Sequence, residues 1–177
     1  MRIISGSLRG KKLFTPKDEQ IRPTADRARE AVYNIINSKL ETPFESINVL
    51  DIFSGTGAFG LEAASRGAKE VTFVDIDLTL TQKNAVLCNF NNLYFIKKDA
   101  RFLPPAKHTF DLIFMDAPYN KSLTEPTIKN LLNNNYLHPN TILIVETAKD
   151  EFLPTVSPLK LTDERTYGAA RFSFFSL

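Results

Sequence analysis

Short apolar runs alternate with stretches of helical periodicity along most of the chain. The run Ile47–Ile52 is rich in β-branched residues and predicts a buried strand. It breaks at Ser54-Gly55-Thr56-Gly57 and passes into Leu61–Arg66, a good helix former that Gly67 terminates. Val71–Val74 predicts a second strand, Leu80–Leu87 a helix, and Phe95-Ile96 a third strand. Phe110–Met115 predicts a fourth, Thr127–Leu132 a helix, and Thr141–Glu146 a fifth buried strand. The last part of the chain reads differently. Leu159–Thr162 and Arg171–Phe175 flank Tyr167-Gly168, which predicts an antiparallel hairpin.

The first forty residues stand apart from this alternation. Two short apolar runs around Gly6 and Gly10 predict a small hairpin or flap with basic residues at its turn. Pro16 to Pro23 reads as loop. Thr24 is placed to cap a helix whose apolar positions are Ala28, Val32, Ile35, Ile36 and Leu40. The expected organisation is therefore a basic N-terminal hairpin and helix over residues 1–40, followed by an α/β domain over residues 41–177.

Strand, glycine turn and helix form the first unit of a doubly wound sheet, which binds its ligands outside the carboxyl ends of its strands. Gly55, Gly57 and Gly60 fit the G-x-G-x-x-G spacing, and Asp75 follows Gly55 by 20 positions at the close of the second strand. That spacing puts a carboxylate on a ribose hydroxyl. A dinucleotide needs its pyrophosphate at the helix N-terminus. Asp51, four residues before Gly55, would repel it. S-adenosyl-L-methionine carries an ammonium and a sulfonium instead, which an anion suits. The competing role for Asp51 is a carboxylate hydrogen-bonded to backbone amides of its own turn.

Composition narrows the classes. The chain has 177 residues, 43% of them apolar, and a net charge of only +2. One cysteine, Cys88, permits no internal disulfide and no cysteine-rich metal site. No apolar run approaches a membrane span and the first residues contain no signal-peptide core, so a cytoplasmic protein is expected. Charge is unevenly spread. Residues 1–40 hold Arg2, Arg9, Lys11, Lys12, Lys17, Arg22, Arg27, Arg29 and Lys39 against Asp18, Glu19, Asp26 and Glu30. Such a concentration is the footprint of a polyanion-binding face, or else a solvated one. Arg22, Arg27 and Arg29 crowd a helix start, where the macrodipole disfavours cations unless an anion or a neighbouring carboxylate holds them.

Asp116-Ala117-Pro118-Tyr119 falls at the carboxyl end of the fourth strand, across from the glycine turn. A carboxylate and a carbonyl fixed by the next proline can orient the protons of an attacking amine. Tyr119 can stack on a flipped base. An ordinary strand-end turn is the plain alternative.

With these residues together, the chain resembles the RsmD-type family of bacterial 16S ribosomal RNA guanine-N2-methyltransferases. The resemblance runs through Arg2–Gly6 with Arg9-Gly10, Arg22-Pro23-Thr24, Asp26-Arg27, Arg29-Glu30, Asp51–Gly57, Asp116–Tyr119 and Tyr167-Gly168. The family's usual Asp-Pro-Pro is here Asp116-Ala117-Pro118. The resemblance implies a mostly parallel, seven-stranded Rossmann-like sheet and S-adenosyl-L-methionine as cofactor. Asp51, Gly55, Thr56 and Gly57 would border its methionine part and Asp75 its ribose. Ile76 would lie on the adenine and Asp99 accept from the adenine amine, with Phe53 and Ala100 completing the set. Asp116, Ala117, Pro118 and Tyr119 would hold the guanine. Arg9, Lys11, Lys12, Arg22, Thr24, Arg27 and Arg29 form the expected RNA-binding set. The implied partner is 16S ribosomal RNA within small subunits or late assembly particles, met by a monomer with no metal and no membrane. Alternatives are an adenine-N6 methyltransferase, an NAD-binding oxidoreductase and a non-catalytic RNA-binding module.

Overall fold

The computed structural model describes residues 1–16 and 23–177, with the side chains of residues 23–25 not described. A seven-stranded sheet runs in the order β3-β2-β1-β4-β5-β7-β6. Its members are β1 (Asn48–Ile52), β2 (Glu70–Asp75), β3 (Leu93–Lys97), β4 (Phe110–Asp116), β5 (Leu137–Ala148), β6 (Lys160–Tyr167) and β7 (Ala170–Ser176). β1 to β5 pair in parallel; β7 pairs antiparallel with both β5 and β6. The helices are α1 (Pro23–Lys39), α2 (Ala58–Ser65), α3 (Thr79–Cys88) and α4 (Thr124–Asn133). This is the doubly wound sheet with a closing hairpin that the apolar pattern predicts.

Boundaries differ where chemistry other than hydrophobicity sets them. α1 starts at Pro23, so Thr24 sits inside its first turn instead of capping it. Proline suits a first helical position because its missing N–H would have no partner there. α4 starts at Thr124 with Pro126 in its first turn for the same reason. β5 begins at Leu137, four residues earlier than its apolar core, because Leu137 pairs with Phe110 across a register shift.

Side chains alternate faces along a strand, and this divides the core in two. Val49, Leu112, Phe114, Ile144, Phe172 and Phe174 join α1, α2 and α3 on one face. Leu50, Ile52, Ile113, Met115, Leu143 and Val145 join α4 on the other. Period two then puts Asp51, Asp116 and Glu146 on the first face, at the carboxyl ends of β1, β4 and β5.

The N-terminal segment completes that face. Arg2 and Lys12 form an antiparallel bridge, and the intervening turn is tied by Gly10 N–H to Ile3 carbonyl at 2.8 Å. Ile3 and Leu13 are buried in the same core as α1 and α2. Glu62 on α2 is fully buried and its carboxylate accepts from the backbone amides of Ile4 (2.6 Å) and Ser5 (3.0 Å) and from Arg66 Nε (2.9 Å). Ser65 adds a hydroxyl that accepts from Leu8 N–H and donates to the Ser5 carbonyl. Asn84 on α3 holds both backbone groups of Phe14.

Gly6 lies where this arm crosses the end of α2. Its φ is +79°, and a Cβ there would stand 1.8 Å from the Ser65 carbonyl oxygen. Gly6→Ala is expected to destabilise the fold by at least about 2 kcal/mol, from overpacking and left-handed strain together. Thermal unfolding of the variant beside wild type checks this, and an unchanged midpoint would show that the arm does not clamp α2.

Candidate active site

The carboxyl ends of β1, β4 and β5 open into a cleft of about 430 Å³. Asp51, Phe53, Ser54 and Thr56 line it from the β1 turn, Asp116 and Tyr119 from the end of β4, and Glu146 from β5. Met1, Arg29 and the Tyr167–Ala170 turn close the remaining sides. Phe59 and Phe114, stacked at 3.8 Å between ring centroids, form part of its wall.

The glycine turn is held from behind by polar side chains of α3. Thr81 donates to the Gly55 carbonyl at 2.8 Å and meets the Ser54 hydroxyl at 3.1 Å, while Asn84 donates to the Thr56 carbonyl at 2.9 Å. Gly55 and Gly57 both take positive φ, and so does Phe53, at 58°. A bulky residue in that region carries strain that its surroundings must hold. Gly60 has a different duty: a Cβ there would stand 2.4 Å from the Phe73 ring, so the third glycine lets α2 sit against β2.

Asp51 plays the part of a buried acceptor. Its Oδ2 takes the Gly60 amide at 2.9 Å, so the amide comes from α2 itself, beyond the immediate turn. Burial pushes its pKa from the ordinary 3.8 up to about 8; the Gly60 bond pulls against this, and the Asp75 charge adds to it. Asp75 closes β2 and accepts from Gly55 N–H at 2.9 Å and Asp77 N–H at 3.1 Å. Ile76, beside it, is 69% exposed. Asp99 caps the short turn at Ala100–Phe102 and is gripped by the Arg101 guanidinium, at 2.6 Å to Oδ2. That hydrogen bond holds its carboxyl below the usual range. Arg101 thus takes up part of the Asp99 carboxylate, a partner the sequence pattern did not reveal.

In the β4 tetrapeptide, Ala117 is buried, Pro118 is exposed, and Tyr119 donates its hydroxyl to Glu146 Oε1 at 2.9 Å. Burial raises the Tyr119 pKa, and the Glu146 and Asp116 charges raise it further. Glu146 is itself raised by burial, with the Tyr119 bond and the Arg29 charge opposing.

The basic set divides. Arg9 and Lys12 are exposed and Lys11 half-buried around the hairpin turn, and Arg27 is exposed on α1. Arg22 lies outside the described residues, as does the Thr24 side chain. Arg29 departs from the expectation of a surface contact. It is 8% exposed, lines the cleft, and donates to the Arg2 carbonyl at 2.6 Å and to Asp26 at 3.0 Å. Asp26 is the neighbouring carboxylate that offsets a cation near the helix start. Arg29 Nε is buried without a hydrogen-bond partner among the described residues.

Glu146, Thr81 and Asn84 escaped the sequence reading, and Arg29 was read as an RNA contact instead of a residue of the cleft. Glu146 ends an apolar strand beside Asp116, which was the available signal; Thr81 and Asn84 carry no motif and look like ordinary helix positions.

A parallel sheet reversed at one end, a glycine turn under the first helix and a carboxylate-lined cleft at the strand ends make a Rossmann-like architecture. The family model described as "Conserved hypothetical protein 95" matches residues 1–176, and the chain belongs to that family. It is 34% identical over 188 residues to ribosomal RNA small subunit methyltransferase D of Haemophilus influenzae, covering 99% of this chain and 93% of the relative. Against the Escherichia coli K12 protein of the same name it is 35% identical over 160 residues, 88% and 79% of the two chains. A solved Escherichia coli structure, yhhF, described as a methyltransferase, superposes with a TM-score of 0.82 at 30% identity, covering 99% and 97%. The RsmD-type resemblance is thereby borne out, and the chain is a methyltransferase. No described helix is long and apolar enough to cross a membrane.

The Asp51 shift has a sign that can be tested. Unfolded Asp51 loses its proton near pH 4 while the folded group keeps it to about 8, so its contribution to stability falls as pH rises across that window. Asp51→Asn keeps an acceptor for Gly60 N–H and removes the titration. Urea unfolding at pH 5 and pH 8 is expected to show the variant gaining on wild type by at least about 1 kcal/mol over that interval. A constant difference would reject the raised pKa.

Proposed function

We propose that this protein transfers the methyl group of S-adenosyl-L-methionine to the exocyclic N2 amine of a guanine in 16S ribosomal RNA. It acts as a cytoplasmic monomer on small subunits or late assembly particles. The observation that carries this reading is that Asp116 and Tyr119 line the same cleft as Asp51, Phe53, Ser54 and Thr56 at the end of β1. The ribosomal RNA methyltransferases among its relatives support the substrate class.

The residues present fit the cofactor. Gly55 has almost open space where a side chain would stand, which leaves room for a close approach, Asp75 offers acceptors for ribose hydroxyls, and the exposed Ile76 offers an apolar face for adenine. Asp51, Phe53 and Thr56 border the methionine end, and Asp99 with Ala100 the adenine rim. When bound, the cofactor supplies an electrophilic methyl on sulfonium. Asp51 holds its proton at neutral pH, and a cation beside it would favour the ionised form.

The chain's own residues then orient the nucleophile. Asp116 and the Ala117 carbonyl accept the N2 protons, so the lone pair points at the methyl carbon. Tyr119 packs on the base. As the methyl passed from the cofactor's sulfur to the amine nitrogen, the Asp116 carboxylate would take up the amine proton. Pro118 limits the freedom of the loop after Ala117, although one proline fewer than the family pattern leaves that loop less restrained.

Methyl transfer from labelled cofactor to small subunits, bare 16S RNA and DNA in parallel is expected to yield N2-methylguanosine in the subunits. N6-methyladenosine as product would overturn the guanine assignment. In the same assay Asp116→Ala is expected to lower turnover by at least about 100-fold while cofactor affinity in calorimetry stays near wild type.

The RNA grip is assigned to Arg9, Lys11 and Lys12 with Arg27. A guanine arrives on a phosphate backbone, and the cleft's carboxylates do not attract one. Replacing Arg9, Lys11 and Lys12 together by Ala is expected to weaken RNA binding and flatten its salt dependence by up to about 2 in log–log slope. Binding titrations from low to moderate salt check this; an unchanged slope would place the grip elsewhere.

A further inference from the structure

Glu146 is a second carboxylate in the cleft, and the proposed transfer chemistry gives it no work. It stands in register with Asp116 on the adjoining strand, and alternation turns both side chains to the same face. Adjacent strands lie about 4.8 Å apart, a separation that one nucleobase edge spans. One oxygen of Glu146 is fixed by the Tyr119 hydroxyl at 2.9 Å. The other makes no hydrogen bond among the described residues. Burial raises the Glu146 pKa, and the Tyr119 hydrogen bond and the Arg29 charge pull the other way, toward the carboxylate.

A fixed, half-buried carboxylate with one open oxygen selects a hydrogen-bond donor. On the Watson–Crick edge of guanine, the N2 amine is flanked by N1–H, a donor. On adenine the amine is flanked by N1 as a bare acceptor, which a carboxylate repels. We propose that Glu146 is the specificity-determining residue of the cleft: it accepts guanine N1–H while Asp116 and Ala117 hold N2. This inference rests on the guanine-N2 reading and adds to it a reason for guanine over any base that presents an amine beside an acceptor. Tyr119 then has two duties, packing on the base and holding the reader in place. The penalty for a mismatched base is large because a buried polar group would be left facing a lone pair.

2-Aminopurine separates the amine from its neighbour. It keeps the N2 amine of guanine but presents N1 as an acceptor. Small subunits are reconstituted with guanine or 2-aminopurine at the nucleotide that the wild-type enzyme is found to modify, and kcat/KM is compared for the two. Wild type is expected to prefer guanine by at least about 100-fold. In Glu146→Gln the amide can donate to N1, so the preference is expected to fall at least tenfold, with cofactor affinity unchanged. Tyr119→Phe frees the reader but keeps its carboxylate, so it is expected to lose less of the preference than Glu146→Gln does.

Equal use of both bases by wild type would overturn the proposal without recourse to any variant. So would an unchanged preference in Glu146→Gln, or an equal collapse in Tyr119→Phe, which would reduce Glu146 to an anchor for the tyrosine. If wild type forms no N2-methylguanosine, the functional reading itself fails. That result is visible before any base is exchanged.

Discussion

The buried carboxylate of Glu62 is the interaction on which the rest of the molecule leans. An ionised group without water is costly unless donors surround it. Here two backbone amides of the N-terminal arm and the Arg66 guanidinium do so. The consequence runs in both directions. The arm gains a fixed course over α2, and α2 gains a roof that buries all eight of its residues. With the arm in place, Met1 reaches the Thr56 hydroxyl and the Arg2 carbonyl receives Arg29. One side of the cleft is therefore built by residues that the sheet alone could not position.

The other side follows from strand alternation. Asp51, Asp116 and Glu146 reach a common face because each lies an even number of residues from an apolar neighbour that packs under α1 and α2. The apolar pattern of β1, β4 and β5 carried that information in the chain, and the glycine turn and the tetrapeptide were legible for the same reason. Their chemistry sits where local pattern and global fold agree. The closing hairpin was legible too, though β6 extends further than its apolar residues do.

What the pattern could not carry was burial imposed from a distance. Glu62 sits in a run that reads as an ordinary amphipathic helix, and a glutamate there is most simply solvated. Arg29 reads as one more cation in a basic segment, yet the arm and Asp26 draw it inward. Thr81 and Asn84 are polar helix residues whose meaning appears only when α3 is laid behind the glycine turn. Phe53 breaks the preference of bulky residues for negative φ, a departure that no propensity announces. Glu62, Thr81 and Asn84 have partners tens of residues away, and so does Arg29 in the Arg2 carbonyl; a single strand or helix contains no trace of them.

The arm itself is suspended by side chains of α2 and α3, with a lone bridge between Arg2 and Lys12 in place of a ladder. Its tip at Gly10 faces open space, with no atom near an added Cβ. Nothing in the sheet registers the length or charge of that tip. An exchange at the exposed Arg9 therefore leaves the strands beneath paired as before, whereas Leu8 and Ser7, one and two positions earlier, are tied to the end of α2 through Ser65.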